Sequence, residues 1–150
     1  LTIYDWHGVY GHPDHVKVHR VGVRAAQLAG GVRVLEATMN RNLIADLRRA
    51  ARDAGNEPNG DDDFDPEAPA DDGNPFGTPV HEITLAVDVR AHLAAKRAAL
   101  GCHRSQISET SFFATMPEEI FAMAFGTEWF IEHGVPAAGP SGPATGWFLR

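Results

Sequence analysis

LTIYDWHGVYGHPDHVKVHRVGVRAAQLAGG, residues 1–31, holds a complete passage from strand to helix. Its first six residues are β-branched and aromatic, the composition of a strand end. Gly8 and Gly11 then form a turn region. Pro13 suits the first turn of a helix, where its missing N–H costs no bond. Val16, Val18, Val21, Val23, Ala25 and Leu28 supply apolar surface, and Gly30–Gly31 supplies the stop. The pattern predicts a helix over 13–29. In open α/β sheets, ligands gather at the carboxyl ends of strands, so this passage is where chemistry is expected.

The alternation continues outward. VRVLEATMN (32–40) reads as a strand, and RNLIADLRRAARDAG (41–55) as a helix with Leu43, Ile44, Leu47, Ala50 and Ala51 on one face. HEITLAVDV (81–89) has strand periodicity, RAHLAAKRAALGCHRSQ (90–106) reads as helix, and SETSFF (108–113) as a connection. PEEIFAMAFG (117–126) opens with Pro117 and two acids, as a helix start should. TEWFIEHG (127–134) is a short strand, and the Pro/Gly-rich 136–146 forms a tail that Trp147 and Phe148 pin back. The alternation predicts an α/β fold with a partly parallel sheet. A first strand that runs straight into a motif reads as the second half of a larger sheet.

A chain of 150 residues, 43% hydrophobic, supports one domain with its own core. No run nears the roughly 20 apolar residues a membrane span needs, no leader follows Leu1, and the expected location is the cytoplasm. The chain starts at Leu1 rather than Met, which predicts a processed or truncated piece. The net charge of −7 argues against general nucleic-acid affinity. Eight of the 20 acids lie in 56–75, without one Lys or Arg; the other 12 nearly balance the 13 bases. That segment, with four prolines and Phe64 as its one large apolar residue, is expected to be a flexible acidic loop. Asp61, Asp63 and Asp65 alternate as in a calcium loop, but Pro66 replaces the turn glycine and Asp72 the bidentate glutamate. Cys102 alone excludes an internal disulfide framework and a Cys-rich zinc site; it is read as a small buried residue. Lys96 and Arg97 are read as a solvated helix face. Phe112, Phe113, Phe121, Phe125, Trp129 and Phe130 are read as core.

Four of eight histidines fall in 7–19: His7, His12, His15 and His19. Three readings stay open. One imidazole is a metal ligand and another a catalytic acid or electrostatic stabiliser, with Asp14 fixing a tautomer. Alternatively, His15 and His19 form an i, i+4 zinc pair, though Val16 stands where the glutamate of H-E-x-x-H belongs. The third reading makes these surface and capping histidines.

YGHPDHVKVHR (10–20) resembles the second signature of the LmbE-like, or GlcNAc-phosphatidylinositol de-N-acetylase (PIG-L), family. KRAALGCHRSQ (96–106) resembles a second family feature, and FAMAFGTEWFIEHG (121–134) is similar to C-terminal segments of actinobacterial-type members. The resemblance implies a Rossmann-like α/β layer, the second half of the sheet with flanking helices. It implies a domain portion over 1–134 and a tail over 135–150. It implies a zinc-dependent hydrolase that removes an N-acetyl or related N-acyl group from a GlcNAc-inositol or mycothiol-type amino-sugar substrate. His15 would be the Zn2+ ligand from this half. His12 would stabilise the oxyanion and protonate the leaving amine, Asp14 would hold and tune His12, and Tyr10 would reach the substrate carbonyl. His103, Ser105 and Gln106 would line the site. The family's other signature, A-H-P-D-D-E, supplies the remaining ligands and the general base, and it does not occur in this sequence. Asp5 and His7 are the nearest substitutes. The chain by itself is therefore expected to be inactive. It would be a half-protein that needs a separate N-terminal half, or a binding or scaffold module of the same fold. Homo-oligomerisation stays open.

Overall fold

The computed structural model describes residues 1–55, 65–105, 107 and 111–146. The chain divides into two compact units. The first comprises Leu1–Ala86 and Trp129–Thr145; the second is built on Val87–Glu128.

In the first unit, β1 (Thr2–Tyr4) leads through a one-turn helix, α1 (Gly8–Gly11), into α2 (Pro13–Ala29), and then into β2 (Leu35–Thr38). β1 and β2 pair in parallel, with Thr2 opposite Leu35 and Tyr4 opposite Ala37. Parallel neighbours need a crossover, and α2 supplies it. Gly22 lets the helix come close: a Cβ there would sit 2.5 Å from Ile3 Cγ2. Ile3, Ala26 and Val34 close together beneath the helix, with Val23 packed against them. The opposite side of α2 is open, with Val18, Val21 and Leu28 exposed.

α3 (Arg41–Asp53) is capped by the Asn40 side chain, which accepts the Leu43 N–H. β4 (Thr127–Glu132) returns antiparallel beside β2, with Leu35 opposite Glu132 and Thr38 opposite Trp129. β3 (Leu85–Asp88) and β5 (Ala144–Thr145) pair in parallel, and the full sheet order is β1-β2-β4-β3-β5. β1 is thus an edge strand. Ile83, Leu85 and Phe130 are buried. This mixed sheet with flanking helices is the Rossmann-like α/β layer expected.

Several local expectations need correction. The strand expected over 81–89 starts only at Leu85, because Glu82 and Ile83 donate back to Pro79 and Val80 in tight turns. The Pro/Gly-rich stretch 136–146 carries a 3-10 turn (Gly139–Ser141) and β5, whose Ala144 donates to the Thr84 carbonyl. Residues 56–64 of the acidic segment lie outside the described residues, so the expected loop and calcium-type spacing there receive no structural account. From Asp65 onward the segment is anchored, as described below.

In the second unit, a 3-10 turn (Arg90–His92) runs into α4 (Leu93–Gly101); α5 (Phe112–Thr115) and α6 (Glu118–Phe125) follow. α5 replaces the end of the expected connection over 108–113. Phe121 and Met116 are buried there. Lys96 and Arg97 are not a solvated face. Lys96 donates to the Phe125 carbonyl at 2.9 Å and pairs with Glu128 at 2.8 Å. Arg97 donates to the Ala114 and Met116 carbonyls and lies over the Phe121 ring at 4.2 Å. Their stems pack while their charged heads serve as helix ties. Cys102 is exposed, not buried. Of the expected aromatic core, Phe121 and Phe130 are buried while Phe125 and Trp129 are half-buried. The side chains of Phe112 and Phe113, and Trp147 and Phe148, lie outside the described residues. No described helix is long and apolar enough to cross a membrane.

Candidate active site

The site grows from the end of β1. Asp5 is fully buried, and its Oδ1 accepts the Val9 N–H at 2.8 Å. Its carbonyl accepts the Gly8 N–H. These bonds bend the chain so sharply that Val9 takes φ 70°, ψ −43°. A β-branched residue at positive φ is a genuine outlier, and such strain collects where a site over-determines its backbone. Gly8 (φ +67°) has no alternative: a Cβ there would stand 2.5 Å from His15 Cβ.

The turn brings Tyr10, His12 and His15 together. The His12 and His15 ring centroids are 5.0 Å apart, Tyr10 and His15 5.2 Å, and Tyr10 and His12 5.9 Å. His15 stacks on Tyr4 at 3.8 Å with an 8° interplanar angle.

Hydrogen bonds assign the ring nitrogens. His12 caps α2, its Nδ1 accepting the Asp14 backbone N–H at 3.2 Å. A neutral ring that accepts at Nδ1 carries its proton on Nε2. His12 thus presents an N–H donor outward. The Asp14 carboxylate is largely exposed and stands 4.0 Å from His12 Nδ1; Asp14 reaches His12 through its backbone. His15 shows the opposite arrangement. Its Nδ1 faces the Gly8 carbonyl at 3.2 Å, so Nδ1 donates and Nε2 keeps a lone pair. His19 is placed alike, with Nδ1 on the Tyr4 carbonyl at 3.1 Å and 3.9 Å from Glu36. Burial, then the charges of Tyr4 and Asp71, raise the Tyr10 phenol above its ordinary pKa. Tyr10 stays a donor at neutral pH.

The zinc expectation is overturned. Among the described residues, no group of three or more His, Cys, Asp or Glu is arranged to hold a metal ion. His15 keeps a lone pair on Nε2 but lacks two companions, so its expected role as a Zn2+ ligand is not supported by this geometry. Asp5 and His7 do not fill the gap. Asp5 spends Oδ1 on the turn, and His7 is buried with Nε2 4.0 Å from that same oxygen. The residues present do not fit a three-ligand zinc centre. His103 and Ser105 are exposed residues of the second unit. Gln106 lies outside the described residues.

The sequence reading missed the part played by residues 65–78. Asp71 donates to the Tyr10 carbonyl at 3.2 Å and Gly77 to the Val9 carbonyl at 2.7 Å. Arg41 donates to the carbonyls of Pro75, Phe76 and Gly77. Phe76 stacks against Tyr10. Asp72 Oδ2 comes within 3.4 Å of His7 Nδ1, an ion-pair contact rather than an aligned hydrogen bond. Burial alone would raise the Asp72 carboxyl, but bonds from Asn74 and the charge of His7 outweigh it and hold the group below its ordinary pKa. A depressed folded pKa contributes stability above the unfolded value, lost as pH falls through the folded one. The urea midpoint of unfolding is therefore expected to rise between pH 3 and pH 5, and Asp72→Asn to flatten that rise. An equally steep rise in the variant would remove Asp72 from the account.

No family model matches the chain, and no solved structure matches it. Curated sequences do. The chain belongs to the LmbE-like, PIG-L deacetylase family. Within it, the chain is 35% identical to a 1D-myo-inositol 2-acetamido-2-deoxy-alpha-D-glucopyranoside deacetylase of Thermomonospora curvata, over 96% of this chain and 49% of the relative. It is 37% identical to the deacetylase of the same name from Acidothermus cellulolyticus, over 87% of this chain and 44% of that one. The Saccharomonospora viridis enzyme of that name is 35% identical over 87% and 46%. The chain spans about half the length of the curated relatives it matches.

Proposed function

We propose that the chain is one half of an amide-hydrolase site that removes an N-acyl group from an amino-sugar compound, and that it turns over only with the other half supplied. That half is the rest of the relatives' length, in the same polypeptide or in a separate N-terminal partner. The observation that carries this reading is the Tyr10–His12–His15 cluster, complete in donors and short of a base. His12 Nε2–H and the Tyr10 hydroxyl are two hydrogen-bond donors suited to an oxyanion developing on the scissile carbonyl. The proton that the missing base takes from the attacking water is delivered to the amine nitrogen as the C–N bond breaks, with His12 the described residue proposed to pass it on. Activation of water needs an accessible proton acceptor, and the described carboxylates around the cluster are buried or turned away: Asp5 is fully buried, its Oδ2 without a partner among the described residues, Asp72 faces His7, and Asp14 points to solvent. The open edge of β1 and the exposed Val18, Val21 and Leu28 of α2 offer an apolar surface on which further sheet and helix would add.

A second reading keeps the fold as a non-catalytic binding module, and the missing three-ligand cluster favours it. One experiment separates the two. The chain is co-expressed with the portion of the Thermomonospora curvata relative that lies outside the match, and acetate release from the N-acetylglucosaminyl-inositol substrate is measured. The half-protein reading expects co-purification and a rate at least about 100-fold above either piece. Co-purification without turnover supports the module. Neither sinks the half-protein reading.

A further inference from the structure

We infer that residues 71–77 act as a strap that positions the Tyr10 hydroxyl, and that Asp72, set against the buried imidazole of His7, is the positioning residue that seats the strap. The turn beneath needs an outside hold. Val9 takes φ 70°, ψ −43° and Tyr10 φ −145°, ψ 20°, both away from helical values. Strained backbone persists only where its surroundings over-determine it. The two strap bonds land on these two residues: Gly77 donates to the Val9 carbonyl at 2.7 Å and Asp71 to the Tyr10 carbonyl at 3.2 Å. The strap also supplies a ring for Tyr10 to lie against. Phe76 stacks on it at 6.4 Å with a 16° interplanar angle, within the range where aromatic pairs attract. One segment thus holds both the backbone and the ring of Tyr10.

The strap is seated at both ends. At the far end Arg41 donates to the carbonyls of Pro75, Phe76 and Gly77, and a Cβ on Gly77 would collide with the Met39 carbonyl oxygen. At the near end Asp72 lies directly on Gly11 (φ +85°), where a Cβ would stand 2.5 Å from the Asp72 nitrogen and 2.7 Å from its Cβ. Only glycine lets two backbones come so close. The Asp72 carboxylate closes its own turn: Oδ1 accepts the Asn74 backbone N–H and Oδ2 the Asn74 side chain. Oδ2 also faces His7 Nδ1 at 3.4 Å. His7 is buried, and its Nδ1 has no aligned hydrogen bond among the described residues. A buried polar group without a counterpart is costly, so the Asp72 charge is what compensates the imidazole on that side. Asp5, on the other side of His7, already gives Oδ1 to the Val9 N–H. Asp72 therefore acts on Tyr10 through the Asp71 backbone and the Phe76 ring.

The test has two arms. The rate arm rests on the reading of Tyr10 as an oxyanion donor; the structural arm does not. In the structural arm, the phenol of Tyr10 in the 150-residue chain is titrated by NMR of isotope-labelled tyrosine, with Tyr10→Phe assigning the signal. Burial, then the charges of Tyr4 and Asp71, raise that phenol, and the strap brings the Asp71 charge and the Phe76 ring. Asp72→Ala should bring the phenol down toward its ordinary value and weaken the cross-relaxation between the Phe76 and Tyr10 rings. In the rate arm, Asp72→Ala in the complemented assembly should lower kcat about 10–100-fold with KM changed by no more than about threefold. In a Tyr10→Phe background the same substitution should cost less than about threefold, because no hydroxyl is left to position. Asp72 is an exposed residue, so the variant should keep the native circular dichroism. If it fails to fold, Asp72→Asn decides: it keeps an acceptor for the Asn74 N–H, drops the charge facing His7, and should lower the phenol and cut kcat about threefold or more. An unmoved phenol and an unchanged Phe76–Tyr10 contact in a folded variant overturn the strap. An active assembly whose kcat falls by less than about threefold in the deciding variant, or falls equally in the Tyr10→Phe background, overturns the positioning role and leaves the hydrolase reading standing. An assembly without turnover counts against that reading alone, and the phenol titration then decides the strap.

Discussion

His12→Ala, placed in the complemented assembly, is expected to slow acetate release about 10²–10³-fold, with KM changed by no more than about threefold. The size is that of losing one preorganised oxyanion donor. An interaction made mainly in the transition state shows in kcat rather than KM. The structure fixes which atom is lost. His12 Nδ1 is occupied by the Asp14 N–H, so the proposed contact to the oxyanion falls to Nε2. The same substitution removes a helix cap, which costs about 1 kcal/mol. His12→Asn separates the two losses, because asparagine caps well but places its amide elsewhere. It should recover the stability and not the rate. A kcat within tenfold of wild type for His12→Ala would take His12 out of the chemistry.

Gly8→Ala is expected to destabilise the chain by about 2–5 kcal/mol in urea unfolding. Two costs add: about 1–2 kcal/mol for a Cβ at positive φ, and about 1–3 kcal/mol for overpacking, since the new atom would stand 2.5 Å from His15 Cβ and 3.0 Å from the Val16 nitrogen. The neighbour cannot yield freely, because His15 is held by its bond to the Gly8 carbonyl and by the Tyr4 stack. The His15 ring proton shifts, set by the Tyr4 ring current, should move in any folded remnant. A loss under about 1 kcal/mol with unshifted His15 resonances would show that the turn is looser than described.

The elements with strong local signals were legible in the sequence. α2, α3 and α6 carry their own punctuation: Pro13 and Gly30, the stop at Gly55, Pro117 and Gly126. β5 was not legible, because two residues in a Gly/Pro-rich stretch become a strand only through a distant partner, Leu85–Ala86. Lys96 and Arg97 look solvated by type, and only the positions of the Phe125, Ala114 and Met116 carbonyls show otherwise. That Tyr10, His12 and His15 belong to one site was what the family resemblance implied; the spacing around Pro13 put only His12 and His15 in one region. The direction of their lone pairs was not legible. Residue type marks an imidazole as a ligand candidate, and His15 keeps an Nε2 lone pair, but among the described residues no companions stand beside it, and there the expected zinc centre fails. The wrapping of residues 71–78 around the turn was hidden as well, since an acid-rich, proline-rich run gives no sign of where its backbone will bond. Asp72 beside His7 is the clearest case: a charge counted as part of a solvated block serves a buried imidazole 65 positions earlier.

Arg41 begins α3 and holds the carbonyls of residues 75–77, while Thr78 exchanges backbone bonds with Met39 and Arg41. Everything between these points is a detour whose entrance and exit are stapled side by side. Lengthening such a detour costs entropy only logarithmically, about 0.6 kcal/mol per doubling. The Val9–Tyr10 turn is therefore buffered against changes of length early in the excursion after α3, as long as Asp71 keeps its bond to the Tyr10 carbonyl and Asp72 its contact with His7.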